Sequence, residues 1–366
     1  MMTYLDYAAS SPMNDRALVA YREVASKMYG NPASLHDVGG QAASAIAWAR
    51  NVIATRLGVN PDGVIFTGSG TEGNILAILS LARSEKRGRH IITSMAEHTS
   101  VHAAMNTLER EGFDVTRLPL TKHGVVDLKL LEAAIRPDTT LISIQHVNSE
   151  IGTIQPVLEI AKLAKAYGIS YHVDCVQSFC KLNVAAFGNE VDALTISAHK
   201  IGGPKGCGAI YLNPFVRVTP VFPGVTHERG LRGGTLDTPS IVAMAVAVED
   251  YRYDLSFQWQ LRQQLIKSLH PETFQVIEGP FSHQLPNICG ICMKGVEGQY
   301  IMLKLNEQHI YISTGSACDI NSASGTKAIL AMGKSIQEAR QFFRISFGAQ
   351  TTMQDIAKCA RALSDV

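Results

Sequence analysis

The runs His-Val-Asp at residues 172–174 and Ile-Ser-Ala-His-Lys at residues 196–200 decide the fold of this chain. In each run an apolar stretch ends in polar side chains, which is typical of a buried strand that reaches the rim of a sheet. Chemistry in open α/β sheets gathers at the carboxyl ends of the strands. The two runs therefore predict that Asp174 and Lys200 lie at such an edge.

A lysine and an aspartate placed in this way are the two groups with which an enzyme holds pyridoxal phosphate (PLP). The lysine bonds covalently to the cofactor, and the aspartate pairs with its ring nitrogen. Taken alone, Lys200 is better explained as a surface lysine at a turn, and Asp174 can be a strand-end or helix-cap residue. A buried lysine is costly unless it is paired or modified. Together with a phosphate-binding loop, the pair favours the cofactor.

Apolar runs alternate with helical patterns through the first two thirds of the chain. The patterns predict strands over 64–67, 91–94, 141–147, 170–174, 193–197 and 208–212, and helices over 73–84, 100–111, 128–134 and 157–167. Such alternation indicates an α/β domain with a mostly parallel sheet.

The pattern changes after Asp250. A long helical stretch over 251–270 leads to an alternating segment over 284–294, then a helix, then a short strand over 310–313 and finally a helix that carries Arg344. We expect a large domain over residues 15–250 and a smaller α+β domain formed by residues 1–14 and 251–366.

Length, composition and charge limit the classes of protein to which the chain can belong. The chain has 366 residues, of which 46% are hydrophobic and 18% charged, so it is long enough for two folded domains. The net charge is +1 without a basic run, which argues against nucleic acid or an anionic membrane as a partner. No apolar stretch is long enough to span a membrane, and no signal peptide is evident. Seven scattered cysteines predict reduced thiols and a cytoplasmic location.

The glycine-rich loop Gly-Ser-Gly-Thr-Glu-Gly at residues 68–73 follows a predicted strand and opens a helix. Its amides and the helix dipole form an anion site. The loop also matches the dinucleotide fingerprint, and Glu97 follows at about the spacing of a ribose-binding acid. An NAD-dependent oxidoreductase therefore remains an alternative, as does a plain tight turn. No dehydrogenase pattern follows further along the chain.

The chain resembles the cysteine desulfurases of the NifS/IscS type, within the class V aminotransferases of PLP fold type I. The resemblance runs nearly end to end and implies a seven-stranded, mostly parallel sheet between helices. Its landmarks lie at residues 4–9, 30–36, 67–74, 97–101, 146–152, 172–178, 197–206, 228–235, 313–318 and 344–348.

The resemblance implies a role for each site residue. Lys200 would bind PLP and move protons, Asp174 would keep the ring nitrogen protonated, and His98 would stack on the ring. Arg344, assisted by Asn31, would bind the substrate carboxylate through a bidentate pair. The remaining cofactor contacts would come from Gly70, Thr71, Asn148, Gln177, Ser197 and His199, and from Thr235 of the partner subunit in a homodimer. No metal is expected.

Cys318 selects the reaction within this family. It lies in the run Ser-Ala-Cys at 316–318, before a polar segment of small residues. A thiol in such a loop can be exposed and reactive, whereas buried cysteines are inert. The resemblance implies that L-cysteine becomes L-alanine, that Cys318 carries the sulfur as a persulfide, and that an acceptor protein receives it for iron–sulfur clusters or another thio-cofactor. Selenocysteine lyase activity remains an alternative.

Two features qualify this interpretation. Cys289 and Cys292 form a C-x-x-C, but on a strand pattern the two thiols point to opposite faces, so neither a redox nor a metal role is expected. Asp319 follows the nucleophile where threonine is frequent in the family, and its charge would tend to raise the pKa of the thiol.

Overall fold

The computed structural model describes residues 2–84, 87–315 and 326–366. The strands are β1 Thr3–Tyr4, β2 Val64–Thr67, β3 His90–Ser94, β4 Asp114–Leu118, β5 Thr139–Ser143, β6 Ser170–Asp174, β7 Ala193–Ser197, β8 Gly208–Leu212, β9 Phe274–Ile277, β10 Ile288–Met293, β11 Ile310–Tyr311 and β12 Phe342–Ser346. The helices are α1 Asp15–Lys27, α2 Asp37–Leu57, α3 Gly70–Ala82, α4 Thr99–Arg110, α5 Leu128–Ala134, α6 Val157–Tyr167, α7 Thr238–Asp250, α8 Leu255–Ser268, α9 Gly298–Glu307, α10 Lys327–Ala331, α11 Ile336–Arg340 and α12 Met353–Ser364.

A seven-stranded sheet in the order β2-β8-β7-β6-β5-β3-β4 forms the centre of the molecule. All neighbouring strands are parallel except β8, which runs antiparallel to β2 and β7. Adjacent residues of a strand contribute to different hydrophobic clusters: Ile91 packs in one and Ile92 in another. The sheet is therefore buried on both faces, and the predicted α/β class with a mostly parallel sheet is confirmed.

The two strands that carry the opening runs lie side by side. In the parallel pair β6–β7, Asp174 is in register with Thr195. Both strands end within a few residues of this point, so the polar groups after them reach the same edge of the sheet. The sequence patterns did not predict strand β4. It lies at the edge of the sheet and is only partly buried, so its sequence lacks the apolar run of the central strands.

Helix α3 begins at Gly70, three residues before the predicted start. Ser69 is its N-cap, and the Ser69 hydroxyl accepts a hydrogen bond from the Glu72 backbone N–H at 3.1 Å. The helix is apolar almost all round and lies buried against the sheet. The second half of the glycine-rich loop is therefore the first turn of α3, and this turn lies at the edge of the sheet.

A second sheet, in the antiparallel order β12-β10-β9, lies in the C-terminal part of the chain. Arg344 lies on β12, so the prediction that it lies on a helix is wrong. The run Phe-Phe-Arg-Ile-Ser is β-branched and aromatic, which favours a strand. On β10, Cys289 and Cys292 pack in different hydrophobic clusters, as their strand spacing predicts.

The N-terminal segment is joined to this second sheet. Strand β1 pairs in parallel with β11, and Asp6 bridges to Ser346 of β12. A separate hydrophobic cluster surrounds the small sheet, with members from α8, α9 and α12. The division into domains at residues 1–14, 15–250 and 251–366 stays a prediction.

Candidate active site

A cleft with a free volume of about 180 Å³ opens at the carboxyl ends of the central strands. The cleft brings together most of the predicted site residues, although they come from distant parts of the chain. Those that line it are Gly70, Thr71, His98, Asp174, Gln177, Ser197, His199, Lys200 and Arg344.

The first turn of α3 and the end of β7 form one wall. A Cβ added at Gly70 would lie 2.8 Å from Val176 and 3.4 Å from the Cβ of Ser197, so the helix N-terminus is pressed against the strand end. The Ser197 hydroxyl is buried and has no hydrogen-bond partner within the described chain. Backbone amides at a helix N-terminus beside an unsatisfied hydroxyl fit a phosphate group.

His199 lies beside this wall. Burial, with smaller contributions from Lys200 and Lys205, lowers the pKa of His199 to about 4. Its Nδ1 lies 3.3 Å from the Ser10 hydroxyl. The imidazole is therefore neutral near pH 7 and can donate one hydrogen bond to an anion without adding a charge.

Lys200 follows β7 in a short 3₁₀ turn over Ala198–Lys200. Its Nζ donates hydrogen bonds to the carbonyl oxygens of Ala8 and Ala9 at 2.6 and 2.7 Å. The N-terminal segment thus holds the ammonium at the cleft.

Asp174 ends β6 and is buried. Its Oδ1 accepts a hydrogen bond from the Val176 backbone N–H at 2.9 Å, and its Oδ2 accepts one from Asn74 Nδ2 at 2.7 Å. Two hydrogen bonds fix the plane of the carboxylate, and each oxygen keeps a lone pair for a further donor.

His98 is the N-cap of α4 and lines the cleft. Its Nδ1 lies 2.8 Å from the Ser100 hydroxyl and accepts a hydrogen bond from the Ser100 backbone N–H at 3.2 Å. These contacts fix the orientation of the ring through Nδ1.

Gln177 belongs to the loop after β6. Its Nε2 donates to the Ala8 carbonyl at 2.8 Å, and Lys181 Nζ donates to its Oε1 at 3.5 Å. Lys181 is buried, and desolvation lowers its pKa to about 8. The amide is therefore oriented with its nitrogen toward the N-terminal segment, from which the second amide hydrogen can reach the cleft.

Arg344, on strand β12 of the second sheet, also lines the cleft. Its Nη1 donates to the Ser149 carbonyl at 2.8 Å, and its Nη2 pairs with Asp6 Oδ1 at 2.7 Å. Arg344 is 2% exposed, and its Nε is buried without a hydrogen-bond partner in the described chain.

Three predicted residues do not line the cleft. Asn148 is buried, and its amide oxygen accepts hydrogen bonds from the backbone N–H groups of Glu150 and Ile151. Asn31 is exposed in the loop before α2, and Thr235 is exposed before α7. Cys318 lies outside the described residues.

Glu97 does not match the ribose-binding acid that the dinucleotide fingerprint suggested. It is buried, and its two oxygens accept hydrogen bonds from the Ser94 hydroxyl and the Gln145 backbone N–H at 2.6 and 3.0 Å. Desolvation raises its pKa to about 8. A neutral carboxyl occupied in this way supports the structure of the loop rather than a sugar.

Sequence analysis missed Asn74 as a residue of this site. Asn74 lines the cleft and binds the carboxylate of Asp174. It stands four residues after Gly70, which places both on the same face of α3. That spacing from the glycine loop was the signal that could have found it.

Neither a metal centre nor a membrane-spanning helix is found within the described ranges. Residues 2–84, 87–315 and 326–366 contain no group of three or more metal-ligating side chains. None of the helices in the described part of the chain has the length and apolar character that crossing a membrane requires.

Comparisons with known families and with known proteins point to the same family. The sequence profile of the class V aminotransferases matches residues 3–359. The cysteine desulfurase IscS of Dictyoglomus turgidum (strain DSM 6724 / Z-1310) is 38% identical over 359 residues, which are 96% of this chain and 91% of that protein.

Solved structures agree with this. A NifS-like protein superposes with a TM-score of 0.91 at 33% identity and covers 100% of both chains. A structure described as SspA in complex with cysteine superposes with a TM-score of 0.83 at 37% identity and covers 94% of this chain and 98% of that one. The similarity therefore includes both the central sheet and the small sheet.

Proposed function

We propose that this chain, which belongs to the class V aminotransferase family and to its cysteine desulfurase branch, binds PLP through Lys200 and takes sulfur from L-cysteine. The observation that carries the proposal is that Lys200 and Asp174, from neighbouring strand ends, line the same cleft as the anion site at Gly70 and Ser197.

The residues present fit the cofactor. The buried, unpartnered hydroxyl of Ser197 and the N-terminus of α3 suit its phosphate, and the carboxylate of Asp174 suits a protonated ring nitrogen. Bound PLP supplies a sink for the electrons that are released when an amino acid loses its Cα proton. The chain has to place the substrate, remove that proton and deliver a sulfur nucleophile.

Lys200 and His98 are the groups that handle protons. Lys200 Nζ is held at the cleft by two backbone carbonyls, where it can receive the Cα proton once it is unprotonated. His98 is held through Nδ1, so Nε2 is the ring atom that can give or receive a proton. Gln177 offers its amide hydrogen to an oxygen on the cofactor ring.

Arg344 is the group proposed to bind the substrate carboxylate. It is buried, cationic and placed in the cleft, and its Nε has no partner in the described chain. A substrate carboxylate beside Arg344 would share the guanidinium with Asp6, because Asp6 already binds Nη2. Asn31 would assist from its loop.

Cys318 is the proposed nucleophile. Its thiolate attacks the sulfur of the bound cysteine, a new S–S bond forms and the substrate Cβ–S bond breaks. The electron pair of that bond stays on carbon, which takes up a proton and leaves as the methyl group of alanine. Cys318 keeps the sulfur as a persulfide, and an acceptor protein then takes it.

Three further features belong to the proposal. The functional unit is a homodimer in which Thr235 of the partner subunit completes the phosphate site, and Thr235 is exposed, as such a contact requires. The acceptor is a protein that supplies an iron–sulfur cluster or another thio-cofactor. The enzyme acts in the cytoplasm. The comparisons do not favour selenocysteine lyase or NAD-dependent activity.

The test is to measure alanine and sulfide released from L-cysteine by the purified protein, together with its absorbance spectrum. We expect equal amounts of both products with a thiol reductant, and a visible-edge absorbance band that shifts with borohydride. Lys200→Ala should lose the band. Cys318→Ser should keep the band and lose turnover, so full sulfide release by that variant would overturn the role of Cys318.

A further inference from the structure

A line of hydrogen bonds joins Asp174 to His98 through two side chains that have no assigned role. Asn74 Nδ2 lies 2.7 Å from Asp174 Oδ2 and 3.0 Å from the Ser100 hydroxyl. The Ser100 hydroxyl lies 2.8 Å from His98 Nδ1. All four residues are at least partly buried, and Asn74 and Ser100 are 1% and 3% exposed.

The direction of these hydrogen bonds is fixed at the Asp174 end. A carboxylate can only accept, so the Asn74 amide must face it with its nitrogen. The same nitrogen faces Ser100, and Asn74 Oδ1 is left buried without a partner in the described chain. An orphaned amide oxygen carries a cost. In this orientation the two amide hydrogens of Asn74 point at Asp174 Oδ2 and at the Ser100 hydroxyl.

The direction is fixed independently at the His98 end. The Ser100 backbone N–H, which can only donate, points at His98 Nδ1 at 3.2 Å. Nδ1 is therefore an acceptor. The Ser100 hydroxyl already accepts from Asn74, so its own hydrogen is available for Nδ1.

We propose that Asn74 and Ser100 are positioning residues that form a directional relay from Asp174 to His98, and that this relay holds the His98 imidazole as the tautomer with its proton on Nε2. The charge of Asp174 sets the tautomer of a ring that it does not touch. The use of this tautomer in catalysis rests on the proposed function, whereas the tautomer itself is a property of the chain.

The consequence for the reaction concerns the atom that faces the cleft. His98 Nε2 carries a hydrogen and can donate it to a sulfur or oxygen of the substrate. If the proton were on Nδ1, Nε2 would be an acceptor, and His98 would compete with Lys200 for the same substrate proton. The relay thus separates the two roles, with Lys200 as base and His98 as donor.

The test measures the tautomer ratio of His98 by ¹⁵N NMR of histidine-labelled full-length chain from which any PLP has been removed. The chain has 12 histidines, so His98→Gln identifies the signal. We expect the Nε2–H tautomer in the unsubstituted protein. Ser100→Ala should shift the ratio toward Nδ1–H by about fivefold to tenfold, the effect of one hydrogen bond, and Ser100→Thr should restore it.

Asn74→Ala and Asp174→Asn test whether the effect is relayed. Both should shift the ratio by about twofold or more. Asn74→Ala removes the amide that links Asp174 to Ser100, and Asp174→Asn places a side chain that can also donate at position 174, which allows the Asn74 amide to turn. Ser143→Ala is the matched control: Ser143 forms a buried pair with His172 at 2.9 Å and should leave the His98 signal unchanged.

Two results would overturn the inference. One is an Nδ1–H tautomer in the unsubstituted protein. The other is a His98 ratio that changes in Ser100→Ala but not in Asn74→Ala or Asp174→Asn, in samples whose circular dichroism shows a folded chain. Because the cofactor is absent, neither result depends on whether the chain desulfurates cysteine.

Discussion

Asp6 Oδ1 lies 2.7 Å from Arg344 Nη2, and this ion pair joins the N-terminal segment to strand β12 at the edge of the cleft. The Arg344 side chain is 2% exposed and the Asp6 side chain 18%. A buried arginine whose partner is removed becomes an uncompensated charge, which costs far more than an exposed pair. We therefore expect this ion pair to stabilise the folded chain whether or not a substrate is bound.

Replacing Asp6 with asparagine should destabilise the protein. We expect the free energy of unfolding to fall by about 3 kcal/mol, since Arg344 keeps its charge and loses its counterion. Urea denaturation of the cofactor-free protein measures this. The matched control is Asp250→Asn, which breaks the exposed pair with Arg16 and should cost less than about 1 kcal/mol. Equal losses in the two variants would contradict the structural role of the Asp6 pair.

Lys181 should destabilise the fold below about pH 8. Desolvation lowers its pKa in the folded chain from 10.5 to about 8. The unfolded chain therefore binds more protons between these two values, and the free energy of unfolding rises as the pH increases through that window. Below it, the full cost of burying the group is present.

Lys181→Met should remove this cost. We expect a gain on the order of 1–3 kcal/mol at pH 7 that shrinks toward pH 10.5. Urea denaturation of wild type and variant at several pH values gives the difference. Lys162→Met on α6, where the side chain is exposed, is the control and should change little. A loss of stability at pH 7 in Lys181→Met would show that the ammonium is stabilising.

The strand ends could be predicted, whereas the contacts between them could not. Strands β6 and β7 are buried over almost their whole length and end in polar residues, and the bounds predicted from the sequence, 170–174 and 193–197, match the structure. Asn74 and Asp174 are 100 residues apart, and no local pattern reports a contact across that separation. The role of Asn148 as a cofactor contact stays a prediction: its amide oxygen accepts from backbone N–H groups of the next turn, and its nitrogen donates to the Ala96 carbonyl at 3.1 Å.

Glu97 should give the opposite pH dependence to Lys181. Desolvation raises the pKa of its carboxyl from 4.5 to about 8. The folded chain then binds more protons than the unfolded chain between these values. The contribution of Glu97 to stability is complete below pH 4.5 and is lost as the pH rises through 8.

Glu97→Gln should remove that loss. The glutamine oxygen can accept from the Gln145 backbone N–H, and its nitrogen can donate to the Ser94 hydroxyl, so the packing is kept. We expect the variant to gain about 2–4 kcal/mol over wild type on going from pH 5 to pH 8.5. Glu159→Gln, exposed on α6, is the control. Parallel pH curves for Glu97→Gln and wild type would contradict a neutral Glu97.

Thiol labelling should single out Cys318. The six cysteines in the described part of the chain are buried. Desolvation raises the pKa of Cys180 to about 11 and those of Cys207, Cys292 and Cys359 to about 12. Thiols react as thiolates, so these groups should be inert at neutral pH. The proposed nucleophile has to behave differently.

We therefore expect a chromogenic disulfide reagent to label one thiol per native chain rapidly at pH 7.5, and all seven in denaturant. Cys318→Ser should abolish the rapid phase, whereas Cys359→Ser, on the buried face of α12, should keep it. Loss of the rapid phase should accompany loss of sulfide release from cysteine, since both require the same thiolate. Rapid labelling of the Cys318→Ser protein would mean that one of the six buried thiols becomes exposed in solution, and Cys318 would no longer be distinguished by its reactivity.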